Sequence, residues 1–87
     1  MPYEYTLHAK EKLARAEIKK LGIKRKHIER VIKNPIVLDN SEEPVLIAIG
    51  DLTAALSLCV AYKKKEKKIR IITFYPAEKG RYERKIL

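Results

Sequence analysis

The sequence has few of the residues that build metal, disulfide or redox sites. It has one cysteine, Cys59, so no internal disulfide can form, and its two histidines, His8 and His27, stand nineteen positions apart. That spacing does not match a zinc site. Cys59 lies in an apolar run, where a buried and inert thiol is expected rather than a nucleophile. We therefore expect no metal site and no cofactor.

Glycine-rich motifs and long apolar runs are also missing. The three glycines form neither GxxxxGK[ST] nor GxGxxG, so nucleotide binding by a glycine-rich loop is not supported. No apolar run approaches the roughly 18 residues that would span a bilayer. The opening MPYEYTLHAKEK lacks the apolar region of a signal peptide. We expect no membrane partner and a cytoplasmic location.

Positive charge is abundant and unevenly distributed. Lys and Arg total 20 against 11 acidic residues, a net charge of +9. Residues 63–87 hold 10 basic and 3 acidic side chains, whereas residues 1–62 hold 10 and 8. A polyanion such as RNA is the expected partner of such a surface. The alternative is thermal stability, since Lys- and Glu-rich chains without glutamine are also typical of hyperthermophiles.

Hydrophobic spacing predicts one α+β domain over residues 1–87, with two N-terminal helices. Thr6 is predicted to cap the first helix, whose apolar positions from Leu7 to Leu21 recur at helical spacing before Gly22. The second helix is predicted from about Lys24 to Lys33, because Asn34-Pro35 ends it.

Strands are predicted after Pro35. They cover residues 36–39, 44–50, 52–62 and 68–76, with turns at Gly50-Asp51 and across the lysine-rich residues 63–68. Strict alternation in the last strand would place Ile69, Ile71, Thr73 and Tyr75 on one face and Arg70, Ile72 and Phe74 on the other. The sequence therefore predicts two helices packed on a three- to four-stranded antiparallel sheet.

Basic and aromatic side chains are the remaining candidates for chemistry. They comprise His8 and Lys12 in the first helix and, in the last strand and tail, Arg70, Tyr75, Lys79, Arg81, Tyr82 and Arg84. Metal-independent RNA cleavage uses such groups: a base activates the ribose 2′-hydroxyl, cations stabilise the phosphorane, and tyrosine stacks on a base or donates a proton. We expect catalytic roles for His8, Arg81 and Tyr82, and RNA contacts from the others.

Each candidate also has a structural explanation. His8 could cap the helix start or be an ordinary surface residue, and Tyr75 could belong to the core. Lys79, Arg81 and Arg84 could simply keep the tail soluble. The two final aliphatic residues, Ile86 and Leu87, favour a tail that packs back onto the domain.

Several short motifs resemble a known family. His8-Ala9-Lys10-Glu11-Lys12-Leu13 resembles the H-A-x-x-R-M start of a group of small domains of unknown function. Val31-Ile32-Lys33-Asn34-Pro35 resembles the end of their second helix, and the runs from Leu58 to Tyr62 and from Ile69 to Thr73 resemble their closing strands. That group resembles a branch of the RelE/ParE toxin superfamily. In this sequence Lys12 stands where the motif has arginine, and Leu13 where it has methionine.

The resemblance implies a RelE-like fold and a toxin-like function directed at RNA or the ribosome. An acidic antitoxin is the partner that it implies. Arg70, Arg81 and Tyr82 lie in regions comparable to those where such toxins contact the scissile phosphate. Two alternatives stay open: a non-catalytic nucleic-acid-binding module, and an interaction protein that docks an acidic partner.

Overall fold

The structure, a computed structural model, describes residues 2–79 and confirms the α+β class. Its elements are, in chain order, β1 (Tyr3–Tyr5), α1 (Leu7–Leu13), α2 (Ala16–Lys20), α3 (Arg25–Lys33), β2 (Val37–Asp39), β3 (Leu46–Asp51), β4 (Leu56–Lys65) and β5 (Lys68–Glu78).

The sheet has five strands in the order β1-β5-β4-β3-β2. Strands β2 to β5 pair antiparallel with their neighbours, but β1 pairs parallel with β5, Tyr3 lying opposite Ile69. The prediction of a wholly antiparallel sheet of three or four strands was therefore wrong. Strand β1 was missed because its Tyr-Glu-Tyr alternation is only three residues long and ends directly at a helix cap.

The predicted first helix is two helices. Thr6 caps α1 as expected, its hydroxyl accepting a hydrogen bond from the Ala9 N–H at 3.2 Å. The backbone then becomes extended at Arg15 (φ −68°, ψ 143°) before α2 begins. Ala9 and Ile18 are both buried, yet nine residues of continuous helix would place them about 180° apart. The break lets both side chains face the core.

Helix α3 packs against β3 and β4 and supplies three buried side chains, Ile28, Val31 and Ile32. Burial of each stabilises the fold by roughly 1.5–3 kcal/mol. The sheet face that they contact, called here the first face, contributes Ala48, Leu58, Val60, Ile71 and Phe74 to the same cluster. A smaller cluster on the opposite, second face contains strand residues alone within the described chain: Val37, Ile47, Ile49, Cys59, Tyr75 and Ala77.

Gly50 is a packing position and not a turn. It lies inside β3, and a Cβ atom there would be 3.0 Å from Cγ2 of Val31, so a glycine lets α3 approach the sheet. The predicted Gly50-Asp51 turn was wrong, because β3 continues through Asp51 and the connection to β4 covers residues 52–55. The lysine-rich turn is also shorter than expected: only Glu66 and Lys67 separate β4 from β5.

An irregularity in β5 reverses its side-chain alternation. Ala61 pairs with Thr73 and Tyr62 with Ile71, which leaves Ile72 as an extra residue. Ile71 and Phe74 consequently both lie on the first face, while Tyr75 lies on the second. Strict alternation from Ile69 to Tyr75 was therefore a wrong prediction. Arg70 and Tyr75 lie on the same face of β5.

The start of α3 depends on a histidine. The Lys24 N–H donates a hydrogen bond to His27 Nδ1 at 3.0 Å, which satisfies one of the backbone donors left free at a helix start. Desolvation lowers the pKa of His27 below 6.5, and the charges of Arg30 and Lys26 lower it further. The neutral imidazole is thus the form that the fold favours.

The unfolding free energy should therefore rise with pH around the His27 titration. The folded-state pKa is below the unfolded value, so the contribution is present above pH 6.5 and is lost as the pH falls through the folded-state pKa. His27→Gln keeps a side-chain acceptor that does not titrate. In urea unfolding, the unaltered protein should lose more free energy of unfolding than this variant between pH 8 and pH 5. Equal losses in both proteins would contradict this role of His27.

Candidate functional site

Helix α1 lies against the part of β5 that β1 leaves uncovered. Strand β1 pairs only with Ile69, Arg70 and Ile71. At its end the Thr6 N–H donates to the Ile71 carbonyl at 3.1 Å, and the Thr6 hydroxyl donates to the Ile72 carbonyl at 3.0 Å. These two hydrogen bonds place α1 beside the outer edge of β5, just past the pairing with β1.

Two side chains of α1 converge on one hydroxyl of β5. His8 and Lys12 are four residues apart, so they lie on the same side of the helix. His8 Nε2 is 3.2 Å from the Thr73 hydroxyl, and Lys12 Nζ donates to the same oxygen at 3.4 Å. Tyr75 completes the group. These four residues, His8, Lys12, Thr73 and Tyr75, are called the α1–β5 cluster.

The Lys12 ammonium is held over aromatic rings. Its Nζ lies 5.5 Å from the centroid of Phe74 and 5.8 Å from that of Tyr75, within the range of cation–π attraction. Desolvation lowers the pKa of Lys12 below its usual value, and the charge of Arg15 acts in the same direction. A bound anion would offset this desolvation, so the position of Lys12 suits a phosphate ligand.

The α1–β5 cluster combines groups suited to holding a phosphate oxygen and moving a proton. Lys12 supplies a cation, Thr73 a hydroxyl donor, and His8 an imidazole at the exposed surface. In residues 2–79 no group of three or more His, Cys, Asp or Glu side chains is arranged to hold a metal ion.

Two other predicted site residues, Arg70 and Lys79, form ion pairs outside the α1–β5 cluster. Arg70 forms an ion pair with Glu4 on β1, with a distance of 2.9 Å from Nη2 to Oε1, and its hydrogen bond lowers the pKa of Glu4. Lys79 forms an ion pair with Asp51 at 3.0 Å. Tyr75 belongs to the α1–β5 cluster and also packs against the second-face cluster. Its two predicted roles, ligand contact and core residue, are thus compatible.

Three predicted site residues, Arg81, Tyr82 and Arg84, lie outside the described residues. Ile86 and Leu87, which were expected to pack against the domain, also lie outside them. The expected convergence of His8 with Arg81 and Tyr82 therefore stays a prediction.

Cys59 is buried within the sheet, as expected. Its residue exposure is 0%, and burial raises the pKa of the thiol to about 11. A thiol that stays protonated at neutral pH is a poor nucleophile, so Cys59 acts as a small apolar core residue.

Thr73 is the member of the cluster that sequence reasoning did not single out. Threonine is common in strands, and strict alternation grouped Thr73 with Ile69 and Ile71. Only the extra residue at Ile72 and the position of α1 bring its hydroxyl beside His8 and Lys12. The i, i+4 spacing of His8 and Lys12 was the one available signal that the two side chains act together.

Comparison with known proteins adds no relative: the chain matches no protein-family model, no curated protein and no solved structure. Among the described residues, none of the helices has the length and apolar character needed to cross a bilayer. The resemblance to RelE/ParE toxins therefore stays a prediction, and an assignment of function depends on the geometry of the cluster.

The shared hydroxyl gives a direct test of the cluster. Thr73→Val preserves shape and β-branching but removes the oxygen that His8 and Lys12 both contact. We expect the free energy of unfolding of this variant to be about 0.5–1.5 kcal/mol lower than that of the unaltered protein, because two polar groups lose their partner. Thr73→Ser, which keeps the hydroxyl, is the control. If urea unfolding shows that Thr73→Val is as stable as Thr73→Ser, the contacts of the hydroxyl contribute nothing to the stability of the fold.

Proposed function

We propose that this protein acts on RNA as a toxin-like, metal-independent endoribonuclease. The observation that carries the proposal is the convergence of His8 and Lys12 on Thr73, beside the ring of Tyr75. Three of these residues had been predicted as RNA-site residues from the sequence. They come from opposite ends of the chain, and the bulge of β5 and the cap of α1 bring them together.

The cleavage step follows from the groups present. The ribose 2′-oxygen attacks the adjacent phosphorus, and its proton passes to the His8 imidazole. Lys12 and the Thr73 hydroxyl bind the phosphoryl oxygens, on which negative charge increases in the phosphorane. The bond from phosphorus to the 5′-oxygen then breaks, and the leaving oxygen takes a proton from water. The products are a 2′,3′-cyclic phosphate and a free 5′-hydroxyl.

Charge supports RNA as the substrate class. The net charge of +9 would attract a polyanion by long-range electrostatics and by counterion release. The resemblance to RelE/ParE toxins points to the same substrate class, although Lys12 replaces the arginine of the motif. The competing explanation, thermal stability, does not account for the position of Lys12, where desolvation disfavours the charged form of the side chain.

A second candidate is a non-catalytic RNA-binding module that uses the same cluster. It is favoured by the absence, among residues 2–79, of an assigned proton donor for the leaving oxygen. One ammonium, one hydroxyl and one imidazole are sufficient to hold a phosphate without cleaving the chain. The two candidates differ in one measurable outcome, which is cleavage.

The proposed activity can be tested in EDTA with mixed RNA and, separately, with translating ribosomes. We expect products that end in 2′,3′-cyclic phosphate. His8→Asn should lower the cleavage rate by roughly 10²–10⁴-fold, the usual size of positioned proton transfer. Lys12→Gln should lower it by about 10²-fold or more through lost charge stabilisation. Lys20→Gln, an exposed change on α2 with the same loss of charge, is the matched control.

The outcomes separate the candidates. RNA binding without cleavage in either setting would replace the nuclease with the binding module. Cleavage that survives His8→Asn and Lys12→Gln unchanged would remove the α1–β5 cluster from the mechanism. Neither binding nor cleavage would reject both candidates.

A further inference from the structure

Two adjoining depressions border β1, at the end of the sheet where the β4–β5 turn lies. The first, of about 430 Å³, lies on the second face and is lined by Glu4, Lys65, Glu66, Lys67, Lys68 and Arg70. The second, of about 440 Å³, runs along β1 toward the helices and is lined mainly by Tyr3, Glu4, Tyr5, Lys10, Arg25 and Lys68. Glu4 and Lys68 belong to both. The two are called the β1 depressions.

The β1 depressions are strongly cationic. Six Lys or Arg side chains line them against two carboxylates, those of Glu4 and Glu66. The Glu4 carboxylate is already occupied by Arg70. That ion pair is more than 40% exposed on both sides, so it contributes little to stability. Arg70 can therefore exchange Glu4 for a stronger anionic ligand.

One of the cations, Arg25, lies against an aromatic ring. The guanidinium of Arg25 lies 4.6 Å from the centroid of the Tyr5 ring. Tyr5 is 6% exposed, and its hydroxyl donates a hydrogen bond to the Glu29 carboxylate at 2.6 Å. Cation–π attraction to the ring already restricts the guanidinium, which can bind a phosphate in the bidentate manner typical of arginine.

The β1 depressions also connect to the proposed reaction site. Strand β5 runs from Lys68 and Arg70, which line the first depression, to Thr73 in the α1–β5 cluster. The three residue steps from Arg70 to Thr73 cover at most about 10 Å at strand spacing. A few nucleotides of extended chain would bridge this distance.

We infer that the β1 depressions bind the phosphates of a single-stranded RNA whose neighbouring segment occupies the α1–β5 cluster. This inference rests on the proposed function and names the form of the substrate. A single strand can bend from the second face around the edge of β1 into both concavities. A duplex is stiff on this length scale and presents its phosphates on a convex surface.

An acidic peptide is the competing ligand, and the short β1 edge argues against its binding as an added strand. Strand addition requires a row of free backbone groups on an edge strand. The hydrogen bonds from Ile69 to the Pro2 carbonyl and from Thr6 to the Ile71 carbonyl leave only the backbone groups of Tyr3 and Tyr5 directed away from β5. That edge is too short to hold an added strand.

Binding of a fluorescent RNA with 2′-O-methyl sugars, which cannot be cleaved, tests the inference. Lys68→Ala and Lys10→Ala should each weaken binding about fivefold at 0.1 M salt and reduce the slope of log K against log salt by about 0.7, the loss of one phosphate contact. Lys20→Ala, which removes the same charge outside both depressions, should change neither quantity appreciably. The duplex of the same sequence should bind more weakly than the single strand.

Glu4→Gln should strengthen RNA binding, whereas the two lysine variants should weaken it. It removes a carboxylate shared by both depressions and releases Arg70, so single-stranded RNA should bind about fivefold more tightly. Glu42→Gln, an exposed change in the β2–β3 connection at the other edge of the sheet, is the matched control and should have little effect. Thermal unfolding of each variant verifies that the fold is retained.

Failure of the inference is distinguishable from failure of the proposed function. No RNA binding by the unaltered protein would reject both. Cleavage by the unaltered protein, with Lys68→Ala and Glu4→Gln behaving like their controls, would reject the inference alone. Tighter binding of a glutamate-rich peptide than of RNA at equal charge would also overturn it, by identifying a docking surface for protein.

Discussion

The hydrogen bonds of Thr6 join the three elements on which the candidate site depends. Its N–H and its hydroxyl donate to consecutive carbonyls of β5, and the hydroxyl also accepts the Ala9 N–H at the start of α1. One residue thus ends β1, caps α1 and fixes the distance between α1 and β5. Because β1 stops at Thr6, the next part of β5 borders a helix instead of another strand. The side chains of that helix reach the strand edge.

The extra residue in β5 is the second determinant of the site. A regular strand would direct Phe74 and Tyr75 to the faces opposite those that they occupy. With Ile72 inserted, Phe74 enters the core under the helices and Tyr75 joins the second-face cluster, while Lys12 lies within reach of both rings. Irregularities of this kind often re-aim side chains next to functional sites. The desolvated position of Lys12 is a product of this arrangement.

Local features of the fold could be predicted from the sequence, and non-local features could not. The cap at Thr6, the end of α3 before Pro35 and the apolar strands each follow from neighbouring residues. Strand β1 exists only because β5 pairs with it, and the break at Arg15 exists because Ala9 and Ile18 must share one core. The same division applies to the site. The spacing of His8 and Lys12 was visible, but Thr73 joined them through a bulge that no local pattern indicates, and Arg70 was already paired with Glu4.

The parallel pairing of β1 with β5 has a consequence for the order in which the fold is completed. His8 and Thr73 are 65 positions apart, so the candidate site combines residues that are well separated along the chain. Contacts between such distant positions form late, because the loop that they close is long and costs entropy before it is stabilised. A nascent chain that ends before β5 has neither the strand edge nor the cluster. The α1–β5 cluster is thus completed only after β5 has been synthesised and has paired with β1.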